Sequence, residues 1–146
     1  QGKVFVSVAN KDKRNAIIYV RMLEQLGFEI ISTGGTADVL RRNGVSSVIV
    51  SKIRETSEGD QSIVDLINAG DIDLILNSPS GGQARGDGFE IRAAAISMGV
   101  PVVTTVSQFG AAVQGIQAMR DHSWDVMSIQ EHEMSLEQAQ ADRAKA

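Results

Sequence analysis

Short apolar runs alternate along this chain with longer amphipathic stretches, and this alternation limits the folds that the chain can adopt. In the first amphipathic stretch, Ala16, Val20 and Leu23 recur at helical spacing. Apolar runs of the length of buried strands cover residues 4–8, 28–32, 47–50, 72–76 and 101–104. Strands that alternate with helices are typical of βαβ units with right-handed crossovers. The sequence therefore predicts an α/β fold, a three-layer Rossmann-like parallel sheet of about five strands flanked by helices.

Four of the predicted helices are followed by a glycine, the residue found most often just beyond a helix C-terminus. The predicted helices cover residues 12–26, 36–43, 61–69, 89–98 and 108–119, and the glycines are Gly27, Gly44, Gly70 and Gly99. Segments 51–59 and 77–88 are polar or glycine-rich and are predicted to be loops, and 126–129 is a possible last strand. We expect one domain over residues 1–133 and a polar, disordered tail over 134–146.

Composition narrows the classes of function. The chain has 146 residues, of which 42% are hydrophobic. This length and composition suit a single domain with a hydrophobic core. The net charge of −4 and the lack of a basic tract disfavour nucleic acid as a partner. No apolar run approaches the roughly 20 residues of a membrane span, so no membrane partner is predicted. Cysteine is absent and the two histidines, His122 and His132, are poorly spaced for zinc, so we predict no metal site and a cytoplasmic location.

The chain begins Gln1-Gly2-Lys3, and its first predicted strand starts almost at once. The absence of an initiator methionine fits a segment cut from a longer polypeptide. It fits a processed or trimmed start equally well, and both interpretations stay open at this point.

Polar residues are concentrated at one edge of the predicted sheet. In sheets of this connectivity, ligands bind beyond the carboxyl ends of the strands. The predicted turns at those ends are polar, small or basic, and they cover residues 9–13, 33–36, 51–52, 77–82 and 104–105. The turns at the opposite edge are mostly plain glycine turns. The sequence therefore predicts a binding site at the carboxyl edge of the sheet.

Thr33-Gly34-Gly35-Thr36 lies where the second predicted strand passes into a helix. Glycine lets backbone N–H groups approach a ligand closely, and a helix N-terminus supplies free N–H donors and the positive end of the helix dipole. This combination suits a phosphate or a carboxylate, so Thr33, Gly34, Gly35 and Thr36 are candidate anion-binding residues. The alternative is a plain turn in which Thr33 caps the helix.

Four further candidates follow other strands. Lys13 and Lys52 follow the first and third strands, and a lysine ammonium is a flexible point charge suited to phosphate. Asn77 and Ser78 follow the fourth strand, and the Asn77 amide can both donate and accept a hydrogen bond. The alternatives are solvated surface lysines and an ordinary turn.

Taken in order, these residues resemble the methylglyoxal synthase-like domain family, and most closely the version at the C-terminus of the bacterial carbamoyl phosphate synthase large chain. The elements that carry the resemblance are Ser7-Val8, Asp12-Lys13-Arg14, Leu26-Gly27-Phe28-Glu29, Thr33-Gly34-Gly35-Thr36-Ala37 with Leu40, Val50 with Lys52, Asp65-Ile67-Asn68 with Gly70, Leu76-Asn77-Ser78-Pro79-Ser80-Gly81, Glu90-Ile91-Arg92-Ala93-Ala94-Ala95, Pro101-Val102-Thr104-Thr105 and Ser128-Ile129-Gln130-Glu131. No single motif identifies the family. The ordered set of motifs is specific to it, however, and covers about residues 3–133.

The resemblance implies an allosteric domain that performs no chemistry itself. The parent enzyme is a glutamine-hydrolysing, ATP-dependent ligase that makes carbamoyl phosphate for pyrimidine and arginine biosynthesis, and it uses ATP with Mg or Mn, whereas this domain holds no cofactor. The implied partners are a nucleotide monophosphate effector such as UMP or IMP, the rest of the large chain, the glutaminase small subunit and further copies of the chain. In bacterial relatives the phosphate contacts match Lys13, Thr33, Thr36 and Lys52, and another contact matches Asn77.

Two departures bear on this resemblance and its alternatives. Pro79 stands where some bacterial relatives carry a hydroxyl residue, and proline offers neither a hydroxyl nor an N–H. Gly59-Asp60-Gln61 resembles part of the catalytic motif of a true methylglyoxal synthase, a lyase that acts on dihydroxyacetone phosphate. That enzyme also uses a histidine after the fourth strand, and segment 77–88 contains none.

Helix capping is the favoured interpretation of the two aspartates that precede predicted helices, Asp60 and Asp87. The related domain of a purine-synthesis cyclohydrolase is a third reading, disfavoured because its nucleotide-site lysines and threonines are not found in order.

Overall fold

Five parallel strands form one sheet in the part of the chain that the computed structural model describes, namely residues 2–51, 62–79 and 85–121, with the backbone alone for 85–87. The strands are β1 (Lys3–Ser7), β2 (Glu29–Ser32), β3 (Val48–Ile49), β4 (Leu74–Asn77) and β5 (Val102–Val103). Their order across the sheet is β3-β2-β1-β4-β5, which makes β1 the central strand. The direction of strand addition reverses between β1 and β4, and ligands of open α/β sheets bind at the carboxyl edge near such a reversal.

Helices cover both faces of this sheet. They are α1 (Lys13–Gln25), α2 (Gly34–Arg42), α3 (Ile63–Asn68), α4 (Arg85–Met98) and α5 (Val106–Asp121). Val20 of α1 and Phe109 of α5 belong to the core cluster on one face, whereas Ile67 of α3 and Ile91 of α4 belong to the cluster on the other. All four strand pairings are parallel. The predicted three-layer α/β fold is therefore confirmed.

The side chains of β1 alternate between the two cores, because successive residues of a strand point to opposite faces of a sheet. Val4 and Val6 pack in the cluster with α1 and α5, whereas Phe5 packs in the cluster with α3 and α4. All three side chains are fully buried. Burial on both faces explains the uninterrupted apolar run. By the same alternation, Ser7 lies on the face that α3 and α4 cover.

Three helices begin earlier than predicted. α5 begins at Val106 instead of Gln108, α2 begins at Gly34 instead of Thr36, and α4 begins at Arg85 instead of Phe89. In α2 and α4 the prediction treated glycines as loop residues, and a glycine inside a helix does cost about 1 kcal/mol relative to alanine. Tertiary packing outweighs this preference in both helices, since each buries an apolar stripe against the sheet. Asp87 consequently lies inside α4, so the expectation that it precedes and caps this helix is wrong.

Four helix C-termini follow the predicted pattern. Gly27, Gly44, Gly70 and Gly99 all have positive φ, between +69° and +88°, and each follows the end of a helix. No helix within the described ranges is long and apolar enough to cross a membrane. The possible strand 126–129 and the tail 134–146 lie outside the described residues.

Gly110 of α5 brings that helix close to Tyr19 of α1. A Cβ atom at position 110 would lie 2.5 Å from the Tyr19 Cζ atom. Gly110→Ala should therefore destabilise the protein by about 1–3 kcal/mol through overpacking. Gly115→Ala is the matched control in the same helix, since its Cβ would meet nothing within 4 Å, and it should stabilise by about 0.5–1 kcal/mol. Urea unfolding measures both changes, and equal midpoints for the two variants would contradict this packing.

Ser62 and Asp65 form a capping box at the start of α3. The Ser62 hydroxyl donates to the Asp65 carboxylate at 2.7 Å, and the Ser62 N–H donates to the same oxygen at 3.0 Å. The hydroxyl bond first, and then the backbone bond, lower the pKa of Asp65 from its ordinary value of 3.8. Ile63 N–H donates to the carbonyl of Ser51 at 3.4 Å, so this helix start also holds the segment after β3.

Asp65→Asn removes the charge that the capping box stabilises. Because the pKa of Asp65 is lower in the folded chain than in the unfolded chain, its contribution to stability is present above about pH 4 and is lost as the pH falls through the folded-state pKa. The wild type should therefore be more stable than the variant at neutral pH, and the difference should narrow below pH 3.8. Urea unfolding across this pH range measures the difference, and a difference that does not change with pH would refute the assignment.

Candidate anion-binding cleft

A cleft of about 490 Å³ opens at the carboxyl ends of β1, β2 and β3. Its volume lies within the range of roughly 300–1,000 Å³ that small-molecule sites occupy. The lining residues come from the ends of these three strands and from the starts of α1 and α2: Ser7, Val8, Ala9, Asn10, Lys13, Thr33, Gly34, Gly35, Thr36, Ile49, Val50 and Ser51. The sheet therefore brings five of the predicted site residues, Lys13 and the segment 33–36, to one concave surface.

Thr33 stands at the N-cap of α2 without capping it through its side chain. Its backbone is extended, with φ −79° and ψ 153°, and its carbonyl accepts the N–H groups of Thr36 and Ala37, both at 2.8 Å. Its hydroxyl makes no capping bond and has no hydrogen-bond partner among the residues that the structure describes, although the residue is only 8% exposed. Thr33 is therefore the N-cap residue, as the alternative expects, but the side-chain capping bond typical of this position is absent. The hydroxyl and the first N–H groups of α2 are available to a ligand.

Gly34 and Gly35 open the cleft by lacking side chains. Neither has a positive φ, so the backbone conformation does not require glycine at these positions. A Cβ on Gly34 would meet no atom within 4 Å, and one on Gly35 would meet only the Lys13 Nζ atom, at 3.6 Å. The space over these two residues belongs to the cleft, and an anion there would face the positive end of the α2 dipole.

Lys13 and Thr36 join this helix start to the first strand. The Lys13 Nζ atom donates to the carbonyl of Gly35 at 2.7 Å, which holds the ammonium group at the turn. The Thr36 hydroxyl accepts the N–H of Val8 at 3.4 Å, and its own hydrogen remains available for donation to a ligand. A lysine ammonium, hydroxyl groups and free helix N–H groups thus surround the same space.

Asn77 and Ser78 lie next to this cleft and do not line it. Asn77 is the last residue of β4 and stands opposite Ser7 in the register of β1 and β4. The Ser78 N–H donates to the carbonyl of Ser7 at 3.1 Å, and its hydroxyl accepts the N–H of Ala9 at 2.9 Å. Ser78 therefore supports the segment that forms one wall of the cleft. A direct contact of Asn77 or Ser78 with ligand stays a prediction.

Several other candidates lie outside the described residues. These are Lys52, the motif Gly59-Asp60-Gln61, and the two histidines His122 and His132. Ser51, which precedes Lys52, does line the cleft. Pro79 is exposed and is not among the lining residues. The role predicted for Lys52 stays a prediction.

Asn10 and Ser7 also line the cleft, although the sequence did not single them out as site residues. Asn10 lies in the turn after β1, so the polarity of that turn was the available signal. The signal for Ser7 was weaker, since it is a small polar residue at the end of an apolar run. Its position follows from the strand register, which places it beside Asn77.

Known proteins resemble this chain over nearly its whole length. A family model described as the MGS-like domain matches residues 15–104. The chain belongs to the MGS-like domain family. It is 60% identical over 144 residues to the carbamoyl phosphate synthase large chain of Kocuria rhizophila, covering 98% of this chain and 13% of that protein. With the protein of the same name from Corynebacterium glutamicum, the identity is 51% over 135 residues, covering 90% of this chain and 12% of that protein.

This MGS-like chain thus spans about an eighth of the length of the curated relatives that it matches, 13% in the case of the Kocuria protein. The identity extends over nearly the whole chain, including both ends of the family-model match. The family predicted from the ordered motifs is therefore confirmed.

Gly34→Ala tests whether the open space over α2 is used by a ligand. The added methyl group meets no protein atom within 4 Å, so the variant should fold and gain about 0.5–1 kcal/mol of stability. The methyl group would nevertheless occupy the cleft, so the affinity for inorganic phosphate should fall at least tenfold. Thermal unfolding and calorimetric titration measure the two effects, with Gly115→Ala as the control for the glycine-to-alanine change. Unchanged phosphate affinity in a stabilised variant would place the anion elsewhere.

Proposed function

We propose that this chain is the effector-binding domain of a carbamoyl phosphate synthase large chain, and that its cleft binds the phosphate group of a nucleotide monophosphate such as UMP or IMP. The observation that carries this proposal is the start of α2. There, Thr33 occupies the N-cap without a side-chain cap, and the next two residues leave their N–H groups uncovered by side chains. A helix N-terminus with free donors is a site suited to phosphate.

The charges at the cleft support a phosphorylated ligand over a neutral one. Lys13 is fixed at the turn by its bond to the Gly35 carbonyl, and its ammonium group has further N–H donors for a ligand oxygen. The proposed role of Lys52 is to add a second positive charge from the segment that follows Ser51. Two point charges and a helix dipole would together balance a phosphate dianion.

The parent enzyme would supply the chemistry that this domain regulates. On this proposal the rest of a longer chain, together with a glutaminase subunit, makes carbamoyl phosphate from glutamine, bicarbonate and ATP in the cytoplasm. ATP with Mg or Mn would bind there and not in this domain. Effector binding here would change the activity of those distant sites through a coupling free energy, which is typically about 1–3 kcal/mol. Self-association of the chain belongs to the same proposal.

Thr33→Val tests the phosphate site with little change in shape. Because the Thr33 hydroxyl has no partner within the described residues, the substitution should leave the fold intact. Loss of a hydrogen bond to a charged group costs about 1.5–3 kcal/mol, so the affinity for phosphate and for UMP should fall about tenfold or more. Thr104→Val makes the same change at an exposed position at the end of β5 and should bind like the wild type.

Calorimetric titration with UMP, IMP and inorganic phosphate decides the proposal. A folded wild type that binds none of the three would exclude an effector cleft. The alternative, a methylglyoxal synthase, is tested by incubating the chain with dihydroxyacetone phosphate and assaying methylglyoxal. Robust turnover would favour the lyase, although segment 77–88 lacks the histidine that such an enzyme uses.

A further inference from the structure

A second group of polar side chains lies at the carboxyl edge of the sheet, on the face that α3 and α4 cover. Ile75 packs in the core cluster of that face, so Asn77, two residues further along β4, points to the same side. Ile91 and Ala95 place α4 on this face, and Arg92 is half-buried between them. Ser7 belongs to the same side through its alternation with Phe5.

Gly88 brings Arg92 and Asn77 together. A Cβ atom at position 88 would lie 2.9 Å from an Arg92 guanidinium nitrogen and 3.4 Å from the Asn77 Nδ2 atom. Both of these atoms carry N–H donors, so two donors converge on one place. Only the absence of a side chain at position 88 makes room for them. Gly88, which was predicted to lie in a loop, therefore has a packing reason within α4.

Neither the Arg92 guanidinium nor the Asn77 amide is bound by another group in the part of the protein that the structure describes. The Arg92 guanidinium, with its five N–H donors, makes no ion pair or hydrogen bond with a described residue. The Asn77 amide has no hydrogen-bond partner there either, although Asn77 is only 9% exposed. No fully buried side-chain nitrogen or oxygen among the described residues lacks a hydrogen-bond partner. The unpartnered N–H donors of Arg92 and Asn77 therefore reach solvent, where a ligand that supplies an acceptor can bind them.

We propose that Arg92 and Asn77 bind a carbonyl oxygen of the effector's nucleobase, so that they select the base while the cleft binds the phosphate. This inference rests on the proposed function and adds a specificity to the same site. Ser7 connects the two parts, because it lines the cleft and stands opposite Asn77 in the register of the sheet. A nucleotide with its phosphate at α2 would extend past Ser7 toward this pair.

The donor pattern favours a base with a carbonyl group next to a ring N–H. The Asn77 amide donates through Nδ2 and accepts through Oδ1, so it complements the adjacent carbonyl and N–H of uracil or hypoxanthine. An amide alone complements adenine as well, as in asparagine–adenine pairs. Arg92 removes this ambiguity, because a guanidinium donates to a carbonyl oxygen but meets only another donor at the adenine amino group. Arg92 is therefore the residue that selects the base.

The experiment compares UMP, IMP, AMP and inorganic phosphate by calorimetric titration of the wild type and of Arg92→Met. The wild type should bind UMP or IMP at least tenfold more tightly than AMP. Arg92→Met should lose this preference and keep the affinity for inorganic phosphate within twofold. Arg42→Met, which changes an exposed arginine at the end of α2, is the control and should keep both properties.

Gly88→Ala provides a second test that keeps the arginine. The new methyl group would push the guanidinium tip away from Asn77, and the flexible side chain can move without unfolding the helix. The variant should therefore fold, bind phosphate as before and lose the preference for carbonyl-bearing bases. If the wild type shows that preference and both variants retain it, the role of Arg92 is refuted, and equal wild-type binding of UMP, IMP and AMP refutes it as well. If phosphate itself does not bind, the proposed function fails, and this inference fails with it.

Discussion

The burial of β1 on both faces is the constraint on which the rest of the structure depends. Because Val4, Phe5 and Val6 are all fully buried, the position of this strand is fixed from both sides. A shift of its register by one residue would exchange the two faces, since side chains alternate along a strand. The parallel pairings of Val6 with Ser32 and of Ser7 with Asn77 then bring the polar ends of three strands to one edge. The apolar core thus determines where the polar site is assembled.

Some hydroxyl groups at the carboxyl edge of the sheet make structural hydrogen bonds, whereas another does not. The N–H groups of Val8 and Ala9, which lie beyond the end of β1, are bound by the hydroxyls of Thr36 and Ser78. These two bonds join the end of the central strand to α2 and to the segment after β4. The Thr33 hydroxyl has no such structural partner within the described residues. A candidate ligand group therefore lines the same cleft as a strand end that other hydroxyls hold in place, which is the arrangement expected of a preorganised site.

The sequence predicted the architecture and the cleft at the carboxyl edge because both depend on local signals. Apolar runs, helical spacing and polar turns are visible within short windows, and Lys13 and Thr33 were found in this way. The position of Arg92 beside Asn77 could not be predicted from spacing, because it depends on how α4 packs across the sheet and on the space left by Gly88. The start of α2 was misplaced for a related reason. Helix propensity is a local preference of about 1 kcal/mol for glycine, and packing against the sheet exceeds it.

A ligand that contacted both groups of polar residues would join the two helical layers. Lys13 and Thr36 belong to the helices α1 and α2, whereas Arg92 belongs to α4 on the opposite face of the sheet. An effector can shift an equilibrium only by as much as it binds one state better than another. If the phosphate alone were recognised, the ligand would sense only the ends of β1, β2 and β3 and the starts of α1 and α2. Recognition of the base by α4 would make the effector's affinity depend on the packing of that helix against β4. The binding free energy would then depend on the contact between the sheet and this helical layer as well as on the cleft.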